Sequence, residues 1–424
     1  MPRYLSTWTP EVNQVSHQTE TPSLSGRVHI LGMGNIGNFV AHALASKNSP
    51  PPITLLMHND GIYRTFCRKK KSISVNHNGL EDVKTGFDVQ VLSDDVWLSE
   101  SRRHRDDSTA IDAPNAADEL LERTEEGQIE CLIVTCKAFM TVRAIWKVRH
   151  RLTTASTIVL LQNGMGVVKK LNEIVFPDAN DRPNYVQGVI SHGLSMQDKF
   201  QIAHRGVGTI TLAPVVTDQS PPLLAEEDTH WAPSTKYILR LLTLTPSLVA
   251  TTETPVGLLQ YQLEKLAVNC LINPLTALYD CTNGELLYIF KVTRTMRLLL
   301  FEISSVIFAL PELQGVPGIE DRFAPERLLR LTMNVANTTA ENTSSMLQDL
   351  QLGKFTEIDH MNGWIVDRGE ELGIKCTLNY MICQMVRSKL TIRQRRDNTS
   401  IPLDQDDIQV AEDFASQTTV KQDQ

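Results

Sequence analysis

VHILGMGNIG, residues 28–37, decides how the first half of the chain must fold. Val28 to Leu31 is a short apolar run, and Gly32, Gly34 and Gly37 follow it in the G-x-G-x-x-G spacing. A helical stretch at residues 38–46, prolines at 50–52 and a second apolar run at residues 53–57 come next. The bare glycine spacing is weak evidence. Strand, glycine turn, helix and strand together are the context in which it marks a dinucleotide site. Gly32 makes the tight turn, Gly34 lets the backbone approach a pyrophosphate, and Gly37 lets the helix pack on the strand. The helix N-terminus then meets the phosphates with its free N–H groups and its dipole. Gly32, Met33, Gly34, Asn35, Ile36 and Gly37 are therefore the expected phosphate loop.

Where the second strand ends, NAD binders usually carry an acid for the ribose hydroxyls. Here the strand ends Met57-His58-Asn59, and Asp60 comes late. Arg64 and the run Arg68, Lys69, Lys70, Lys71 follow, cations that either attract a 2′-phosphate or face solvent. The balance favours NADP(H). Further strands are expected at residues 132–135 and 158–161, apolar on both faces as a covered parallel sheet requires. They end in Cys136-Lys137 and in Gln162-Asn163-Gly164, at the edge where open α/β sheets bind ligands. Lys137 and Asn163 are candidates to touch the nicotinamide half.

The 424-residue length allows two domains, and 42% hydrophobic with 21% charged residues is ordinary for a globular protein. No run of about 18 apolar residues predicts a membrane span. Residues 93–128 hold eleven acids against four basic residues, so −7 of the formal −8 charge sits there. The remainder is near neutral and points to neither nucleic acid nor a membrane surface. This acidic segment and residues 214–235 read as surface insertions. Residues 1–26 read as a flexible lead-in too acidic for a convincing transit peptide, and residues 391–424 as a disordered tail. Seven cysteines without a CxxC pair exclude a disulfide framework and a zinc module and suit a reducing, cytoplasmic setting. Mitochondrial import is the lesser alternative, and no metal site is expected.

From about residue 251 the texture becomes helical. KLAVNCLINPLTALYDCTNGEL, residues 265–286, is mostly apolar, yet it sets Lys265, Asn269 and Asn273 four residues apart. At 3.6 residues per turn they form one polar stripe on a buried helix. A single buried Asn is usually a satisfied core residue. Three polar side chains in register, one of them a Lys, are a better match to a polar ligand. Pro274 should kink or stop this helix at Asn273, and Asn283-Gly284 reads as a turn. A second helix is expected at residues 292–310 and a third at residues 325–350. ENTSSMLQDLQLGKFTEIDHMNGW, residues 341–364, is the other polar cluster, placing Asn342, Ser344 and Ser345 inside that third helix and Glu357 in a new helical stretch.

These runs resemble the ketopantoate reductase (2-dehydropantoate 2-reductase) family over about residues 27–390, the insertions aside. KLAVNCLINPLTAL, NGEL, ENTSSMLQD and TEID carry the resemblance, with QNGMG and VTCKA in the first domain. It implies a Rossmann-type α/β N-terminal domain at residues 27–250 and an all-α C-terminal domain, 6-phosphogluconate dehydrogenase C-terminal-like, at residues 251–390. Carried over residue by residue, it implies that Lys265 is the general acid and that Glu357 lies beside it and the cofactor. Lys137 and Asn163 would contact the cofactor. Asn269, Asn273 and Asn283 would hold the substrate, and Ser345 its carboxylate with help from Asn342. His58 stands where relatives that grip the NADP phosphate often have Arg. The implied reaction is NADPH-dependent reduction of ketopantoate to (R)-pantoate, with Lys265 supplying the proton. Reduction of another 2-oxo acid and a non-catalytic nucleotide-binding scaffold stay open, as do monomer and homodimer.

Overall fold

The structure, a computed structural model, describes residues 24–100, 121–123, 127–215 and 231–399. The chain opens with alternating strands and helices: β1 (Val28–Leu31), α1 (Asn35–Ala45), β2 (Ile53–Met57) and α2 (Asp60–Arg68). A hairpin of β3 (Ile73–His77) and β4 (Leu80–Lys84) leaves the main sheet, and β5 (Asp88–Ser93), β6 (Val96–Glu100) and β7 (Leu121–Arg123) return to it. β8 (Cys131–Val134), α3 (Ala138–Trp146), β9 (Thr157–Leu160), α4 (Val167–Lys170) and β10 (Asn184–Ile190) resume the alternation. A second hairpin, β11 (Gly193–Asp198) and β12 (Gln201–Gly206), precedes β13 (Ile210–Pro214), α5 (Pro233–Thr243) and β14 (Ala250–Thr252).

The main sheet runs β14-β13-β10-β9-β8-β1-β2-β5-β6-β7 and is parallel from β10 through β5. Its central strands are apolar throughout because both faces are covered. Ile133 and Val159 pack toward α1 and α5, while Leu132, Val134, Ile158 and Leu160 pack toward α3. The two hairpins join as a smaller sheet, β11-β12-β3-β4, which lies over α1. Phe39 of α1 meets the rings of His192 and His204 there at 4.9 and 5.0 Å.

Two expectations for this half change. The acidic segment is not only a surface insertion, since β6 and β7 extend the main sheet. Trp97 is 3% exposed, and buried Glu100 accepts from Tyr63 Oη at 3.0 Å and pairs with Lys71. Residues 101–120 and 124–126 of that segment, 216–230 of the other and 400–424 of the tail lie outside the described residues. So do residues 1–23 of the lead-in, whereas Ser25 is tied to Glu130 Oε2 at 2.6 Å. The Arg68–Lys71 run is the second change. It sits at the C-terminal end of α2, a helix length from where β2 ends, with Lys69 paired to Asp198 at 2.6 Å and Lys71 to Glu100.

α6 (Pro255–Tyr279) is the axis of the second half. Around it stand α7 (Phe290–Ala309), α8 (Ile319–Arg322), α9 (Pro325–Thr338), α10 (Ser345–Gln351), α11 (Asn362–Glu371) and α12 (Thr377–Thr399). α6 does not stop at Asn273 but continues through Pro274. Proline withholds the N–H that the Cys270 carbonyl would accept. Asn362 Nδ2 supplies a donor instead, 3.0 Å from that carbonyl. The expected single helix at 325–350 is two, α9 and α10. Ser344, predicted inside a helix, is the N-cap of α10, its hydroxyl accepting from Leu347 N–H at 3.2 Å. Ser and Asn favour such boundaries over helix interiors. α12 also runs past the expected end of order. Arg and Gln are good helix formers, and Gln394 Nε2 reaches the Gly353 carbonyl at 3.0 Å.

Candidate active site

Gly32 turns the chain at φ +110°, and a side chain there would meet the Cys136 backbone N at 2.6 Å. A Cβ on Gly37 would lie 1.9 Å from the Gly32 carbonyl, so α1 can approach β1 only with glycine here. Gly34 faces open space, with nothing within 4 Å of where a side chain would begin. It is the N-cap of α1 and provides no side-chain cap, which leaves first-turn N–H groups for an anion. Met33 and Ile36 pack against the core, so any part they take in holding phosphate is through their backbone. Asn35 donates to the Leu194 carbonyl at 3.4 Å and keeps a buried Oδ1 without a partner. These features fit a dinucleotide phosphate. His58 follows β2 and is exposed. Desolvation, then the charge of Lys199 from the turn between β11 and β12, lower its imidazole pKa. Nothing local in the sequence pairs residue 199 with residue 58.

Between the two halves lies a pocket lined by Gln162, Asn163, Gly164 and Met165 after β9, Gly188 and Val189 of β10, and Gln262, Lys265, Leu266 and Asn269 of α6. Asn163, distant in sequence, is thus brought to Lys265 and Asn269. Lys265 is partly buried, and its ammonium donates to the Ile190 carbonyl at 2.6 Å. Burial lowers its pKa to about 8, and the opposing pull of the Glu357 carboxylate keeps it from falling further. An ammonium near pH 8 can hold a proton at neutral pH and still release it in a reaction.

Glu357 is 5% exposed and acts on Lys265 through space, because the ammonium bonds to Ile190. Burial raises the pKa of its carboxylate, and the bond it accepts from the Ala138 N–H at 3.0 Å, the Lys137 charge and the Asn163 amide oppose that rise. Lys137 forms an ion pair with Asp349 of α10, which ties the two halves beside the pocket. Asp349 stands within the ENTSSMLQD run, yet its isolated charge gave no reason to single it out.

Four predicted substrate residues are not among those that line the pocket. Asn273 is buried, its amide 3.5 Å from Met361 Sδ. Asn283 precedes a short 3-10 turn (Gly284–Leu286) and donates to Thr339 Oγ1 at 2.9 Å, with its own Oδ1 buried and unpartnered. The Asn283 N–H donates to the Asn342 carbonyl at 3.0 Å, so those two segments do meet. The side chains of Asn342 and Ser345 are exposed. Gln162 and Gln262, which no expectation included, line the pocket instead.

The family model described as "Ketopantoate reductase PanE/ApbA" matches residues 28–216, and "Ketopantoate reductase PanE/ApbA C terminal" matches residues 258–390. A "Probable 2-dehydropantoate 2-reductase" of Schizosaccharomyces pombe is 28% identical over 88% of this chain and 99% of its own. A ketoisovalerate reductase of Beauveria bassiana is 26% identical over 82% of this chain and 79% of its own. Among solved structures, a ternary structure of D-mandelate dehydrogenase with NADH and anilino(oxo)acetate superposes with TM-score 0.64. Its identity is 16% over 87% of this chain and 99% of that one, a likeness of fold alone.

Proposed function

The chain is an oxidoreductase of the ketopantoate reductase family, and from that premise we propose that it reduces ketopantoate to (R)-pantoate with NADPH, in pantothenate and coenzyme A synthesis. The observation that carries this reading is Lys265, an ammonium with pKa about 8 on the wall of a pocket it shares with Asn163 and Asn269. The phosphate turn at residues 32–37 holds the dinucleotide, with His58 and Lys199 offered to a 2′-phosphate. Bound NADPH supplies the hydride to the C2 keto carbon. Lys265 stabilises the charge that grows on the keto oxygen and delivers the proton there. Glu357 favours the ammonium form beforehand. The Asn269 amide, without a partner among the described residues, holds the substrate. Asn273, Asn283, Asn342 and Ser345 are substrate residues by resemblance alone.

A second reading, reduction of another 2-oxo acid, is favoured by the similarity to a ketoisovalerate reductase. Loss of NADPH absorbance should be followed with purified full-length protein and ketopantoate, then with NADH and with ketoisovalerate. Rapid loss with ketopantoate and NADPH is the expected result. Activity confined to ketoisovalerate moves the assignment to the second reading, and NADPH binding without turnover of any 2-oxo acid removes both. The cysteines of the described residues are all free thiols, which supports a cytoplasmic location.

A further inference from the structure

The amide of Gln262 has no role in the reading above. Gln262 stands three residues before Lys265, on the same face of α6 and one turn nearer its N-terminus. It lines the pocket half-buried, and it has no hydrogen-bond partner among the described residues. Across the pocket, the Oε1 of Gln162 is buried and also unpartnered. Polar groups withdrawn from water without partners carry a penalty that a bound ligand removes. Leu266, Met165 and Val189 around them supply none of that compensation.

The direction along α6 narrows what that ligand group is. The keto oxygen belongs at Lys265. In a 2-oxo acid the carboxylate and the rest of the molecule leave the keto carbon on opposite sides. Asn269, one turn beyond Lys265 toward the C-terminal end of α6 and also without a partner among the described residues, is the amide left for the carboxylate. A carboxylate directed that way sends the tail of the substrate toward Gln262. An amide both donates and accepts, as a hydroxyl does, whereas an apolar tail can satisfy neither capacity.

We propose that Gln262 is a specificity-determining residue that reads a hydroxyl on the tail of the 2-oxo acid and selects against substrates whose tail is apolar. This rests on the 2-oxo acid reductase reading. A site built to hydrogen-bond a hydroxyl rejects the analogue lacking it far more strongly than an apolar pocket rejects an extra hydroxyl.

The test compares kcat/KM for ketopantoate and ketoisovalerate in the wild type, Gln262→Leu and Gln262→Asn. The wild type should prefer ketopantoate, and Gln262→Leu should reduce that preference by about tenfold or more. The loss should fall on ketopantoate, with the NADPH Kd and Tm unchanged, and Gln262→Asn should retain part of the preference. An unchanged ratio in Gln262→Leu overturns the proposal while leaving the reductase reading in place. So does a wild type that prefers ketoisovalerate, or a Gln262→Leu variant in which only NADPH binding weakens. A wild type inactive with every 2-oxo acid removes the reductase reading and this proposal with it.

Discussion

The two halves of α6 carry similar polar residues and use them in opposite ways. Gln262, Lys265 and Asn269 line a pocket, and Gln262 and Asn269 have no partner among the described residues. Beyond Asn269 the polar groups are consumed inside the protein. The Cys270 carbonyl takes Asn362, the Asn273 amide reaches Met361 Sδ, Thr276 meets Ser344, and Lys389 Nζ donates to the Ala277 carbonyl at 2.8 Å. Residue type alone therefore does not mark a site on this helix. Unused hydrogen-bonding capacity beside the pocket, at Gln262 and Asn269, does.

The sharpest way to break that contrast is Lys265→Met. Turnover should fall by about a hundredfold or more, while NADPH binding stays within about twofold. Stability should move the other way. The folded pKa of Lys265 lies below the unfolded value, so burying it disfavours folding at every pH below about 8, a penalty that disappears only above the unfolded lysine range. Methionine removes the penalty, and the variant should melt no lower than wild type at neutral pH. Retained turnover, or a lower Tm, would place Lys265 among the structural groups of the downstream half.

Asn362→Leu probes that downstream half. It strands the Cys270 carbonyl and should destabilise by about 2 kcal/mol, while kcat of the folded protein changes little. Pro274→Ala restores the missing N–H, so the double variant should recover much of the loss. Additive losses in denaturant melts would show that Asn362 does not substitute for the proline's missing donor.

Pro274 also shows where sequence reasoning ran short. Its local rule is sound, but the compensating donor, Asn362, lies 92 positions from the Cys270 carbonyl it serves, in a helix that only tertiary packing brings near. The same limit hid Lys199 beside His58 and Asp349 beside Lys137. What was legible was periodic or local. The glycine turn, the apolar central strands and the Lys265–Asn269 spacing each follow from spacing within one element, whereas Asn273, the third residue of that expected stripe, is buried against Met361. Ser344 was misread because helix propensity was extended across residues that favour a cap. The acidic run hid Trp97 and β6 because net charge averages over the alternation that makes a strand.

The pH profile sharpens the upstream half. If Lys265 gives up the proton, kcat/KM for reduction should be level below about pH 8 and fall about tenfold per unit above it. Glu357→Gln removes the charge that holds this pKa up, so the falling limb should move to lower pH. A limb that stays in place in Glu357→Gln would mean that another group titrates.

The smallest effect is expected at the bridge between the halves. Lys137 is partly exposed and Asp349 nearly buried, so Lys137→Met should cost on the order of 1 kcal/mol at neutral pH. Burial raises the Asp349 pKa, and Lys137 opposes that shift. Without that lysine only the charge of Lys354 still supports the buried carboxylate, and its folded pKa rises further above the unfolded value. A raised folded pKa gives stability that is present at low pH and lost as pH rises through it. The Tm gap between Lys137→Met and wild type should therefore be widest at neutral pH and close on acidification, as Asp349 takes up a proton. Asp349→Asn in the same chain should close the gap at every pH, since a neutral amide needs no ammonium. A gap independent of pH, or one that Asp349→Asn leaves open, would mean that Lys137 stabilises this junction by packing rather than by charge.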